Sequence, residues 1–359
     1  MKNSFKKLSA LAIIMTMLIC AFSLTASAEE MHLNDYGEVV RSGECGNNLT
    51  YTFCTDTLEI SGTGPMYNYS DYNDTPWYSY IRDIKTVKLN NGITTIGDNS
   101  FKRCDNLRYI EIPNSITSIG KEAFNYCGIY DVTIPGSVKT IGESAFRDCE
   151  NLEKINLCNG VNTIGDYSFA SCVNLHYIDI PNSVTSIGKS AFQECGLYNV
   201  TIPGSVKTIG ENAFSQCNSL EKATICSGVN TIGVNAFYKC ESLARVSIGD
   251  GVTTIEEGAF KYCSSLTDVS IPVSVTKIGK LAFFCENLSD VYYQGSKAQW
   301  KKIDIDYEGT KLSHRQLKNA TIHFAQDEGA NTTVIIIIAA IAVVAISTAA
   351  IILIKKKKK

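Results

Sequence analysis

The residues with the most chemical potential in this chain are cysteines, placed three residues after a phenylalanine again and again. The step occurs at Phe101/Cys104, Phe124/Cys127, Phe146/Cys149, Phe169/Cys172, Phe192/Cys195, Phe214/Cys217, Phe237/Cys240 and Phe260/Cys263, with a shortened copy at Phe283/Cys285. Four chemistries compete for such a column. Disulfides suit an oxidising compartment. Yet side chains projecting in parallel from stacked strands leave Cβ atoms about 4.8 Å apart, wider than the roughly 3.8 Å a disulfide requires. A metal site needs ligands converging on one point, and a straight column without nearby histidine does not converge. A nucleophile needs an adjacent base, and many identical nucleophiles have no common task. The remaining reading is a ladder of small, reduced, buried side chains filling the same notch in successive units. Each thiol would then be within reach of a backbone carbonyl.

Other reactive groups are sparse. Cys158 and Cys226 stand where related units have proline, three units and about 15 Å apart, too far to bridge. Cys45 and Cys54 flank a Gly46-Asn47-Asn48 turn signal, which leaves two alternatives, a disulfide or two free thiols on separate strands. The histidines are His32, His176, His314 and His323; His176 aligns with Arg108 one long repeat earlier and reads as a solvated surface residue. Carboxylates such as Asp179 recur on strands without a second acid placed to share acid–base work. No metal-spaced cluster, phosphate loop or nucleophile elbow is present in the sequence. The expectation is a protein that is not an enzyme and carries no cofactor.

What must position the cysteines is a repeat. The phenylalanines recur every 22 or 23 residues, and residues 105–172 and 173–240 form two 68-residue blocks that agree at about two positions in three. "VTIPGSVKTIGE" at 132–143 returns unchanged at 200–211. Within one unit, Leu107, Ile110 and Ile112 point to one side and Tyr109 and Glu111 to the other. Pro113 then ends the strand. Ile116 and Ile119 form a second inward pair, Gly120 turns the chain, and "KEAF" predicts a short helical or 3-10 corner that drops Phe124 into the centre. Such a unit has one apolar edge and must stack on copies of itself to bury it. The predicted fold is mainly β, a solenoid of about nine coils with parallel sheet, plus one C-terminal transmembrane helix.

The string [Val/Ile]-x-[Thr/Ser]-Ile-Gly-x-x-Ala-Phe-x-x-Cys-x-x-Leu-x-x-[Val/Ile]-x-[Ile/Leu]-Pro resembles the BspA-like class of bacterial leucine-rich repeats over residues 84–293. "GECGNNLTYTF" (43–53), "LEISGTGPM" (58–66) and "TPWYSY" (75–80) resemble the region that precedes such repeats. "VYYQGSKAQWKKI" (291–303) with "ATIHF" (320–324) resembles the segment that closes them. The resemblance implies attachment to host matrix proteins or to other cells, and carries over no ligand-contacting residue, because the shared motif is the core. Departures at Cys158, Cys226, Glu256 and the shortened ninth unit predict local irregularity.

The two ends read as addresses. Lys2, Lys6 and Lys7 precede an apolar run, and Ala26-Ser27-Ala28 fits signal cleavage. Val334 to Ile354 is uncharged and would span about 31 Å as a helix. Lys355 to Lys359 place that end in the cytoplasm. The expected order is therefore signal peptide 1–28, β-rich N-terminal cap 29–80, solenoid 81–288 and C-terminal cap 289–325. A linker 326–333, a transmembrane helix 334–354 and a basic tail 355–359 follow. The expected location is the cell membrane, single-pass, with the N-terminal body outside. Of 33 basic residues the leader takes three and the tail five, and neither holds an acid, so the body carries 25 basic against 36 acidic residues, a net −11. That disfavours nucleic acid and anionic membrane as partners, since both reward clustered Lys and Arg, and the expectation is no nucleic-acid partner.

A solenoid presents its strand face as an extended recognition surface. One outward column contains Tyr109, Lys154, Tyr177, Lys222 and Arg245, side chains that anchor interfaces more often than small polar ones do. The expected function is surface adhesion or ligand recognition, with an extracellular protein or polysaccharide as partner. The alternative is a structural envelope protein that spaces or covers the surface.

Overall fold

The computed structural model describes residues 29–306, 317 and 319–325. The expected signal peptide, linker, transmembrane helix and basic tail lie outside the described residues. Among the described residues no helix is long and apolar enough to cross a membrane.

Period-two alternation builds the first layer. In Asp131–Ile134 the outward Asp131 and Thr133 are exposed while Val132 and Ile134 are buried. The next strand, Lys154–Leu157, repeats the pattern in register, Asp131 opposite Lys154. Nine parallel strands from Asp131–Ile134 to Thr321–Phe324 form one sheet. A second sheet of eleven short strands, from Gly64–Pro65 to Asp304–Ile305, carries the inward isoleucines such as Ile141, Ile164 and Ile187. The architecture is a mainly-β parallel solenoid of about ten coils with little helix.

The third edge is not helical, contrary to the sequence expectation. Its corners are turns in which Glu122 (φ 52) and Tyr126 (φ 58) are left-handed, and equivalent residues repeat this around the solenoid. A helix would turn every N–H along its own axis. The left-handed residues instead aim alternate N–H groups at the next coil. Asn99 N donates to Lys121 O at 2.9 Å, Phe101 N to Ala123 O at 2.8 Å and Arg103 N to Asn125 O at 2.8 Å. Apart from one break on the strand face, each coil is thus hydrogen-bonded to its neighbour on three sides, which satisfies its buried backbone.

The core is a stack of rings. Phe101, Phe124, Phe146, Phe169, Phe192, Phe214, Phe237, Phe260 and Phe283 lie 5.0–5.4 Å apart, centroid to centroid. Trp77 supplies a tenth rung at 5.7 Å from Phe101 and donates from Nε1 to Ser100 O at 2.8 Å. Offset stacking of this kind contributes about 0.5–1.5 kcal/mol per pair beyond burial.

Both ends extend the solenoid. The antiparallel meander Glu30–Leu33, Val39–Gly46, Leu49–Cys54 and Thr57–Gly62 hands its last strand to Thr86–Leu89 in parallel register. The parallel sheet therefore begins at Thr57, inside the segment expected to be cap alone. Cys54 lies opposite Val40, five residues along the strand from Cys45 and about 17 Å away. The two are free thiols, which decides against a disulfide between them.

The coils of Cys158 and Cys226 keep their strand pairing, but an isolated bridge follows each cysteine, Asn159 to Val161 and Ser227 to Val229, and around Glu256 the strand-face ladder narrows to the single pair Ser247 and Ser270. The ladder is also disturbed where a coil is one residue short, at Cys127-Gly128-Ile129 and Cys195-Gly196-Leu197. There the ladder breaks between Tyr109–Glu111 and Asp131–Ile134, and narrows to a single pair between Tyr177 and Asn199.

Candidate ligand-binding face

The ladder cysteines lie inside the solenoid. All nine, Cys104 to Cys285, are free and buried. From the second onward each thiol donates to the carbonyl of the preceding coil's phenylalanine: Cys127 Sγ lies 2.9 Å from Phe101 O and Cys172 Sγ 3.1 Å from Phe146 O. Burial pushes the Cys127, Cys149, Cys172, Cys217 and Cys263 thiols well up. A nucleophilic thiol needs the opposite shift. Cys45 is likewise pushed up to about 12 by burial.

His176 is not the solvated residue the sequence suggested. It is half-buried, hydrogen-bonded through Nδ1 to Gly196 O at 3.0 Å and stacked on Tyr198 at 4.9 Å.

The outward column is in register: Asp131, Lys154, Tyr177, Asn199, Lys222 and Arg245 follow one another across paired strands. Tyr109 and Tyr177 are 71 % and 64 % exposed. Lys154 and Arg245 are exposed and Lys222 half-buried. The structure brings only two of the five together in a concavity. Lys154 and Tyr177 share a trough of about 770 Å³ whose other outward groups include Asp131, Asn156, Asp179, Asn182 and Asn199. Tyr109 lies beyond the ladder break, and Lys222 and Arg245 lie outside the trough lining.

Little of the trough is bonded within the chain, and among the described residues the same holds for Lys222 and Arg245 on the next two strands of this face. Among the described residues, the side chains of Asp131, Lys154, Asp179, Asn182 and Asn199 make no hydrogen bond or ion pair, and Asn156 reaches only Cys158 Sγ, at 3.9 Å. At the C-terminal end of the same face the groups are taken. Asp290 accepts from His323 Nε2 and Ser289 Oγ at 2.7 Å each, Asp268 accepts from Thr267 Oγ1 at 3.0 Å, and Ser270 Oγ accepts from Gln294 at 3.3 Å. The His323 hydrogen bond, followed by that of Ser289, holds the Asp290 carboxyl below its usual range. Sequence reasoning named Asp179 only as a recurring strand carboxylate and did not single out the other unbonded groups, because an unbonded side chain looks no different from a bonded one in sequence.

A second feature was missed altogether. On the turn edge, Arg103 lies between the rings of Tyr72 and Tyr126 at 5.5 and 4.9 Å, and Lys102 bridges Asp71 and Glu122 at 3.0 and 2.7 Å. The position before each of the first eight ladder cysteines is left-handed and not buried, so Arg103 and Tyr126 are presented from a site that the core motif leaves free.

Comparison with known proteins agrees with this architecture. A family model described as BspA type leucine rich repeat region (6 copies) matches residues 75–197 and 185–303. No curated protein matches. Among solved structures, a leucine rich cell surface protein from Faecalibacterium prausnitzii is 22 % identical, with 80 % of this chain and 99 % of that chain covered and a TM-score of 0.43. A leucine-rich repeat protein from Eubacterium ventriosum is 24 % identical over 68 % of this chain and 94 % of the other, with a TM-score of 0.32. The pneumococcal vaccine antigen PcpA is 15 % identical over 84 % and 89 %, with a TM-score of 0.41. With its repeats matched over most of the solenoid, the chain belongs to the BspA-type leucine-rich-repeat family.

Proposed function

We propose that this chain is a surface-displayed recognition protein whose strand face binds an extracellular protein or glycan, and that residues 334–354 hold it at the membrane. The observation that carries the binding reading is the trough around Lys154 and Tyr177, where polar side chains are concentrated and left unbonded. Beside the second sheet such groups tie coil to coil, as Lys139 Nζ does with Gly136 O and Gly160 O at 2.8 and 3.2 Å. Free hydrogen-bonding capacity gathered in one concavity is a means of recognition. The apolar span and lysine tail support membrane retention.

The test is retention of the full-length chain, solubilised in detergent micelles, on arrays of matrix proteins and glycans. Saturable binding lost in Lys154→Ala/Tyr177→Ala supports the proposal. Binding untouched by that pair removes this face. The scaffold alternative draws on one feature, the exposed edge strand Glu30–Leu33 with Met31 and Leu33 uncovered, since open edges pair with other chains. Concentration-dependent self-association without any saturable partner would favour it.

A further inference from the structure

We propose that the trough is a subsite for an uncharged polysaccharide strand lying along the solenoid axis, with Tyr177 as its stacking platform. This rests on the strand-face reading above and adds the class of ligand.

The trough's unbonded groups are mostly planar. Asp131 and Asp179 offer carboxylate acceptors, and Asn182 and Asn199 offer amides that donate and accept at once. Paired acceptors and donors on a plane match adjacent hydroxyls on a sugar ring, which present one O–H and one lone pair in the same direction. The amides accept from one hydroxyl and donate to the next. Register places such groups one coil apart along the axis, Asp131 to Lys154 to Tyr177 to Asn199. That advance of about 4.8 Å is close to the length of one pyranose ring with its glycosidic oxygen, so a polysaccharide can meet successive coils with successive rings.

Tyr177 supplies what hydrogen bonds do not. Its ring is 64 % exposed and its orientation is set by an edge contact with Tyr198 at 5.6 Å. A flat aromatic face suits the C–H face of a pyranose as it suits other flat ligands. The charge balance selects among sugars. Within the trough two carboxylates, Asp131 and Asp179, stand against the single ammonium of Lys154, so a sulfated or uronate unit is disfavoured at this subsite, while Lys222 and Arg245 follow on the next two strands outside it.

A protein partner fits less well. Protein interfaces concentrate their energy in desolvated, apolar centres with several aromatic or arginine anchors. Here one aromatic is surrounded by carboxylates and amides, each of which must be given a hydrogen bond when water leaves. A polyhydroxylated chain provides those bonds at every ring.

The experiment uses the full-length chain in detergent micelles, with immobilised cellohexaose, chitohexaose and xylohexaose as neutral probes and heparin as the charged control. Retention on at least one neutral hexasaccharide and none on heparin is expected. Tyr177→Ala should weaken that binding about threefold to tenfold, Asn199→Ala should weaken it as well, and Tyr177→Phe should retain it. Absence of binding to all three neutral probes, preference for heparin, or unchanged binding by Tyr177→Ala would each overturn the proposal. A cell-binding arm separates its failure from that of the face. If periodate-treated cells, with their vicinal diols cleaved, still bind the wild-type chain and Tyr177→Ala does not, the partner is a protein and the face stands. If Tyr177→Ala binds untreated cells as the wild type does, the face itself is wrong.

Discussion

Arg108 and His176, 68 residues apart, make the same contact in two copies of one cassette. Arg108 Nη1 donates to Gly128 O at 2.9 Å and lies over Tyr130 at 5.3 Å; His176 Nδ1 reaches Gly196 O at 3.0 Å and stacks on Tyr198 at 4.9 Å. A carbonyl only accepts, so Nδ1 of His176 carries the proton. Both glycines sit in coils one residue short, where the strand ladder is broken or thin. A long polar side chain from the coil before bonds a backbone group there.

Exchange should therefore be tolerated and truncation should not. Arg108→His and His176→Arg are expected to change stability by less than about 0.5 kcal/mol, whereas alanine at either site costs about 1–2 kcal/mol through a carbonyl left with a poorer partner. Gly128→Ala should cost more, because its new Cβ runs into the Asp105 carbonyl and the Arg108 guanidinium. Urea unfolding of the five variants is the measurement. Equal losses for exchange and truncation would show that the contact is incidental.

The thiol ladder predicts alkaline sensitivity. Burial raises the folded-state pKa of Cys127, Cys149, Cys172, Cys195, Cys217, Cys240 and Cys263. In the unfolded chain these thiols ionise near pH 8.5. Below that pH both states hold the proton and the stabilisation is complete. Above it the unfolded state releases protons that the folded state keeps, and each thiol removes up to about 1.4 kcal/mol per pH unit until the folded pKa is passed. Melting temperature under anaerobic conditions should fall steeply above about pH 8.5 and be flat for some units below it. Replacing two ladder cysteines by alanine should make that alkaline slope shallower. A thiol reagent should label Cys54, Cys158 and Cys226 in the folded chain far faster than Cys172.

How much of this was legible in sequence depends on what period alone can fix. The strand faces were, because alternation at Tyr109-Ile110-Glu111 and a constant 22–23-residue step determine which side chains share a column. The thiol contact was partly legible, since a cysteine at a constant offset must meet the same neighbour in each coil. The turn edge was not. Glu122 and Tyr126 adopt left-handed backbone that ordinary side chains rarely take, so the residue types signalled a helix. The separation of Cys45 from Cys54 follows from the turn at Asn47-Asn48, since Cys45 lies two residues before it and Cys54 six after, which puts Cys54 opposite Val40. The trough was hidden too, since concavity depends on how coils stack and unbonded groups are identified only once their neighbours are placed.

The last parallel strand, Thr321–Phe324, is held in part by His323 on Asp290, with the His323 ring stacked on Tyr292 at 4.7 Å. The hydrogen bond keeps the Asp290 carboxyl below its ordinary range. A depressed carboxyl gives its stabilisation above the unfolded value near pH 3.9 and loses it as pH falls through the folded one. Hydrogen exchange at Ile322 to Phe324 should accelerate as pH drops below about 4, after correction for intrinsic exchange. Asp290→Asn should show faster exchange at neutral pH with less further response to acid. Unchanged protection in that variant would mean that backbone pairing alone holds the strand.

The ring stack predicts that position along the solenoid, and not burial alone, decides what a core truncation does. Phe169 and Phe283 are both buried, at 0 % and 3 % exposure, but Phe169 has a ring on each side at 5.4 Å while Phe283 has its ring partner, Phe260, on one side at 5.3 Å. Phenylalanine-to-alanine changes in cores cost about 3–5 kcal/mol. In a quasi-one-dimensional array, stability is a sum of unit and neighbour terms. Phe169→Ala removes two stacking contacts and weakens the coupling between halves, so unfolding should split into two transitions by calorimetry, with hydrogen exchange dividing near that coil. Phe283→Ala should leave the main transition in place and loosen the closing coil, including Asp290–Tyr293. A single shared transition in both variants would mean that the coils unfold as one unit, with end and centre equally coupled.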